Sequence, residues 1–204
     1  MSLALGIGAN SAIFQLIDVV RLRTLPVQKP QELVAIDFAE GSQRSGWFST
    51  RNSRFTYGQW EQVRAQQQAF TGVLAWSATR FNLTAGGEAR YAEGLYVSGE
   101  FFKQLGVSPL LGRAFTAQDD SQTCGDPAAV ISHAFWQREY GADAGVIGRT
   151  VSLDGQPFPV IGVTPASFFG VEVGRGYDVA IPLCADRLLA AGLGLIPAAT
   201  SSLL

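Results

Sequence analysis

Residues 128–165 read AAVISHAFWQREYGADAGVIGRTVSLDGQPFPVIGVTP, and how this stretch is read decides the fold. Ala129-Val130-Ile131 is a short apolar run with strand character, and Ser132 follows where a helix N-cap belongs, its hydroxyl able to accept a free first-turn N–H. Phe135, Trp136 and Tyr140 then recur at spacings that place bulky rings along one side of a helix, and Gly141 supplies the left-handed residue that ends it. Beyond it, residues 148–153 and 156–163 are two β-prone runs separated by Asp154-Gly155, a dipeptide that tolerates the positive φ angles of a tight hairpin turn. The polar residues of this strand-helix-hairpin unit are singles at turns and exposed faces, as packing requires.

On its C-terminal side lies Phe168-Phe169-Gly170-Val171-Glu172-Val173-Gly174-Arg175-Gly176, a turn-rich connector with two phenylalanines expected to be exposed. Its glycine density suggests a phosphate loop, but the Lys and Ser/Thr that would meet phosphate and magnesium are missing. Residues 177–183 read as a strand returning to the sheet, followed by Cys184; residues 186–204 are mostly Ala, Leu and Gly and show neither a strand pattern nor a capped helix.

On its N-terminal side, Asp119-Asp120 is the one adjacent acid pair in the chain. Paired carboxylates serve acid–base chemistry or bind a hard cation, but consecutive residues on an extended segment point apart and no His is nearby, so the pair reads as a solvated loop. Ser98 is placed to cap a brief helix holding Phe101, Phe102 and Leu105, closed by Gly106. Alternating runs at 73–84 and 89–98, broken by Ala85-Gly86-Gly87-Glu88, predict a further hairpin. Before it, Thr56 and Gln59 fit a capping box for an amphipathic helix whose Trp60, Val63, Phe70 and Leu74 share one face. Residues 40–55 form a Gly-, Ser- and Arg-rich surface loop carrying Trp47 and Phe48, residues 33–38 read as a buried strand, and residues 21–30 are a basic connector punctuated by Pro26 and Pro30. Residues 3–20 are apolar apart from Asn10, Ser11, Gln15 and Asp18, too short and too polar for a clean span of about 20 residues.

Composition narrows the function classes. The chain has 204 residues, 47% of them apolar, enough for a sizeable core. Only 16% are charged, against about 25% in an ordinary soluble domain. A net charge of −2 and a pI near 5.4, with Lys and Arg spread singly, argue against nucleic acid as a partner. Cys124 and Cys184 are too few and too far apart for a zinc site. They permit one disulfide in an oxidising compartment, with two buried thiols as the alternative. The single histidine, His133, adjoins Ser132, but successive helical residues face about 100° apart, so the two do not form a dyad. With no GxSxG elbow and no catalytic cysteine signature, neither a catalytic residue nor a cofactor or metal site is assigned, and an enzyme is not expected.

The strings AVIS (129–132), FWQREYG (135–141) and IGRTVSLDGQPFPVIGV (147–163), preceded by LGVSPLLGRAFTAQDD (105–120) and ALGIGANSAIF (4–14), resemble the extracytoplasmic core domain of MacB-like and FtsX-like ABC transporter permeases, in the same order, over about residues 4–184. The resemblance implies an α+β fold: a porter-like lobe of mixed sheet with helices on one face, from residues 30–115 plus the returning strand 177–184, and a smaller inserted β-rich lobe with one helix, residues 116–176. It also implies that residues 1–20 are the C-terminal part of a truncated first transmembrane helix, 21–29 a connector stalk, and 185–204 a truncated tail. The expected setting is the bacterial inner membrane, with this domain periplasmic and anchored through the N-terminal helix. The expected partners are a cytoplasmic ABC ATPase domain, a periplasmic adaptor and a second copy of the permease. Trp47, Phe48, Phe168 and Phe169 are the candidate cargo or partner contacts. Those same four side chains lining a groove would suit the alternative, a periplasmic small-molecule or lipid binding module.

Overall fold

The computed structural model describes residues 25–36, 55–84, 88–121, 124–193 and 200–203. In chain order these supply β1 (Phe55–Thr56), α1 (Tyr57–Gln66), β2 (Ala75–Asn82), β3 (Tyr91–Val97), α2 (Phe101–Gln104), β4 (Leu111–Gly112), β5 (Ala129–Ile131), α3 (His133–Tyr140), β6 (Thr150–Leu153), β7 (Gln156–Val163), β8 (Val179–Pro182), α4 (Asp186–Leu193) and β9 (Thr200–Leu203). Among the described residues the strands join in one mixed sheet, ordered β1-β9-β2-β3-β8-β5-β7-β4, with β6 paired to β7.

The quoted stretch folds as its residues dictate. Ser132 caps α3, its Oγ accepting the Phe135 N–H at 3.1 Å, and Gly141 closes the helix at φ 58°. Asp154 and Gly155 turn the β6–β7 hairpin with φ of 50° and 81°, both in the left-handed region that this turn needs. The other expected hairpin forms as β2 and β3, in register from Trp76 opposite Val97 to Asn82 opposite Tyr91. The returning strand β8 enters between the two hairpin systems, parallel to β3 and antiparallel to β5, so residues from 30–115 and from 116–176 contribute strands to the same sheet.

Side chains alternate across the sheet and build a core on each face. On one face Phe81, Ala92, Ile131, Val179 and Ile181 pack beneath Phe135 and Trp136 of α3 and Leu189 of α4, while Tyr57 and Trp60 of α1 cover Ala75 and Leu183 nearby. On the other, Trp76, Leu95, Val97, Val130 and Ala180 meet Phe101 and Phe102 of the single-turn α2 and Phe168 from the 165–177 loop. The three longer helices thus share one face. Each fully buried ring stabilises the fold by about 1.5–3 kcal/mol.

Four expectations are corrected. Residues 33–36 are not a buried strand: Val34 is 48% exposed and only Ile36 makes an isolated bridge, because Pro30–Glu32 form a 3-10 turn and the segment rests one side on the domain; residues 37–38 lie outside the described residues. Helix α1 ends at Gln66 instead of reaching Leu74, since the Gln67 side chain accepts the Phe70 N–H at 2.9 Å and turns the chain, leaving Phe70 41% exposed. Residues 186–203 hold a helix and a strand, because the apolar residue Leu189 finds the sheet and β9 pairs with β1 and β2. Phe168 is buried at 2% exposure, edge-on to Phe102 and Tyr177 at 5.9 and 5.8 Å, so the loop folds its first phenylalanine into the core.

Candidate functional site: a stapled loop and a docked connector

Among the described residues, a loop and a connector each tie polar groups to a distant segment. The first is the loop that follows β4. Arg113 grips Asp119 with both terminal nitrogens at 2.8 Å, and the Thr116 N–H and hydroxyl donate to the same carboxylate at 2.7 Å. The Arg113 fork, chief among these donors, holds the Asp119 carboxyl down to about 2.

Asp120 turns the opposite way, into the protein. Its two oxygens accept the Gly99 N–H at 3.3 Å and the Cys184 N–H at 2.9 Å, joining the β3–α2 turn to the short helical turn Leu183–Ala185. Burial pushes this carboxyl up to about 6 despite those two donors. Cys184 is also disulfide-bonded to Cys124, with Cα atoms 5.2 Å apart, and its sulfur lies 3.5 Å from the Asp119 carbonyl oxygen. In the chain-entropy model, a crosslink spanning 60 residues stabilises by about 4 kcal/mol.

The solvated-loop reading of Asp119-Asp120 is therefore corrected: one acid organises the loop, and its neighbour is buried against backbone amides of the β3–α2 turn and the Leu183–Ala185 turn. No sequence signal marks this role, since the donors are backbone amides 21 and 64 residues away.

The second place is the connector. Gln28 N–H donates to the Leu105 carbonyl at 3.1 Å, just past α2, while Val27 and Leu33 pack against the core beneath that helix. Gly106 has φ +69°, and a Cβ on it would fall 2.5 Å from the Gln28 side chain, so glycine is what lets the connector seat closely. Beside this seat runs an open groove of about 620 Å3 lined by Leu33, Val34, Phe70, Val73, Leu74 and Lys103, among others.

The remaining sequence candidates fall elsewhere. Phe169 is half-buried, and Trp47 and Phe48 lie outside the described residues, as does the apolar stretch 3–20. His133 begins α3 with its ring edge-on to Trp136 at 5.5 Å, while its neighbour Ser132 is engaged as the cap. Among the described residues no group of three or more His, Cys, Asp or Glu is disposed to hold a metal ion, and no helix is long and apolar enough to cross a membrane.

This mixed sheet is similar in fold to solved extracytoplasmic domains of ABC-type transporters. The extracellular domain of the noncanonic ABC-type transporter YknZ from Gram-positive bacteria superposes with a TM-score of 0.52 at 18% identity, covering 74% of this chain and 73% of that one. The periplasmic region of MacB from Actinobacillus actinomycetemcomitans gives a TM-score of 0.56 at 18% identity, covering 76% of this chain and 66% of that one, just under two thirds. These likenesses are of fold, and no curated protein matches. The family model for the MacB-like periplasmic core domain matches residues 1–198, and the chain belongs to that family of ABC transporter permease domains.

Proposed function

We propose that this domain is a non-catalytic relay in a bacterial inner-membrane export permease, passing ATP-driven motion from the membrane to the periplasm. The observation that carries the reading is the docked connector: a segment hydrogen-bonded to Leu105 and packed under α2 moves the sheet with it instead of flexing beneath it. ATP hydrolysis would reside on a separate ABC ATPase domain, and the permease would work as a pair of copies. The 30–115 and 116–176 segments would act as two lobes, the second presenting surface to an adaptor. Trp47, Phe48 and Phe169 are the proposed contacts to cargo or adaptor; Phe168, being buried, leaves that set.

The test uses the full-length permease with spin labels at Lys29→Cys on the connector and Tyr91→Cys on the exposed start of β3. Relay predicts a distance between them that stays constant across nucleotide states, and Gly106→Val makes it nucleotide-dependent. A distance that already changes with nucleotide in the otherwise native protein refutes the relay.

The groove beside the connector suggests a second reading, a seat for a small amphipathic ligand, since its lining sets Leu33, Phe70 and Leu74 beside the ion pairs Lys29–Glu32 and Lys103–Glu100. Native mass spectrometry of detergent-free protein separates the two: a reproducible apolar adduct lost on Phe70→Asp supports binding, and a clean apo mass counts against it.

A further inference from the structure

We propose that the Cys124–Cys184 disulfide is a redox catch on a segment that a buried carboxylate drives outward, so that reduction at neutral pH releases residues 113–121, 124–128 and the entry to α4, while reduction in mild acid leaves them seated. The driving group is Asp120. It is 4% exposed, no cation among the described residues lies within ion-pair distance, and two backbone N–H groups donate to it. Its charged surroundings are mixed. From α1, Arg64 attracts it and Glu61 repels it, and Tyr57, whose hydroxyl burial pushes up to about 12, faces it without offering a charge. Arg187 of α4 is stacked over the Tyr57 ring at 5.3 Å, and Asp119, next in the chain, spends its own charge on Arg113. Two amide donors offset only part of the cost of dehydrating a carboxylate, so the ionised side chain gains by returning to water.

The disulfide opposes that return at the same residue. The Cys184 amide holds Asp120 while the Cys184 sulfur holds Cys124, four positions along the same loop. Leu183, Cys184 and Ala185 are all buried, so with the bond intact the loop cannot leave without dragging a core segment with it. Cys124 itself sits at φ +49°, a left-handed conformation that costs a non-glycine residue free energy and is relieved once its tether is gone. A dithiol reductant supplies the chemistry. One thiolate attacks a cystine sulfur, forming a mixed disulfide and expelling the other cysteine as thiolate. The reductant's second thiol then closes on the first. The protein gains two electrons and two protons as two thiols, and the reductant leaves as a cyclic disulfide.

The sign of the pH effect follows from linkage. The closed segment holds the Asp120 proton more tightly than the open one, about 6 against an ordinary 3.8, so closure is favoured in acid and weakens as pH rises through that window. Between pH 4 and 7.5 the opening constant of the reduced segment should rise on the order of 50-fold.

The experiment is amide hydrogen exchange on the 204-residue chain, following Gly99 and Cys184 after normalising for intrinsic rates. In Cys124→Ala/Cys184→Ala, protection of both amides should fall on the order of 50-fold from pH 4 to 7.5; in the disulfide-bonded protein it should be high and nearly flat. Adding Asp120→Asn to the double variant should abolish the pH dependence. Protection in the double variant equal to that of the bonded protein at pH 7.5, or a pH dependence that survives Asp120→Asn, overturns the proposal. Should the double variant not fold, the bonded protein reduced in native buffer with dithiothreitol gives the same comparison, and unchanged exchange at Gly99 and Cys184 after both thiols are shown free is equally fatal.

Discussion

Replacing Gly162 by alanine tests whether backbone approach, and not only apolar pattern, builds this sheet. Gly162 of β7 stands opposite Gly112 of β4, and an alanine Cβ at 162 would lie 2.2 Å from the Arg113 carbonyl oxygen. The obstruction is backbone, so no rotamer change relieves it and β4 must lift away. That movement breaks the Leu110 N–H to Val163 and Arg113 N–H to Ile161 hydrogen bonds, at 2.7 and 2.8 Å, each contributing about 1 kcal/mol net. Loosened packing of Leu111 against the core brings the expected loss to about 2–3 kcal/mol. For a chain of this size each kcal/mol lowers Tm by roughly 2–4 °C, so a drop of roughly 4–12 °C is expected by calorimetry. Gly125→Ala, where nothing lies within 4 Å of the added methyl, serves as the control and should leave Tm nearly unchanged. A Gly162→Ala protein whose Tm falls no further than the control's would refute the reasoning.

Other consequences are checked more simply. Ser132→Ala removes the α3 cap and should cost about 1 kcal/mol in urea unfolding, with Ser132→Asp recovering most of it. Because the folded-state pKa of Asp119 lies below its ordinary 3.8, its contribution is present above about pH 4 and lost as pH falls toward 2. Asp119→Asn should therefore destabilise by about 1 kcal/mol at pH 6, a figure reduced for solvent screening at the half-exposed Arg113, and make little difference at pH 2. Thr164→Val strands the buried Tyr177 hydroxyl, which it meets at 2.7 Å, and should cost about 1–3 kcal/mol, whereas pairing it with Tyr177→Phe should return part of that loss.

What could be read from the residues alone was whatever local chemistry dictates. Ser132, Gly141 and Asp154-Gly155 act within a few residues of themselves, so the helix and hairpin they specify appear where expected. The helix boundary at Gln66 was not legible, because the Gln67 side chain competing for the Phe70 amide looks like any polar helical residue. Apolar pattern equally could not say that Phe168 turns inward while Phe169 stays half-exposed, since that depends on a cavity between Phe102 and Tyr177 formed by distant segments. The same holds for the candidate site. The cysteines could be read as one disulfide or as two buried thiols, and the fold decides for the disulfide; Asp120 gave no sign, because its partners are main-chain amides and the fold alone selects which ones.

The placement of β8 beside β3 bears on how the chain acquires its shape as it is made. Glu93 and Asp178, which exchange main-chain and side-chain hydrogen bonds across this junction, are 85 residues apart. At a synthesis rate of roughly 5–20 residues per second, the inner border of the first hairpin stays bare for roughly 4–17 s before its neighbour is available. During that interval β3 is an open template for any extended peptide, so a chaperone that shields nascent strands should matter more to the yield of this domain than to its final stability.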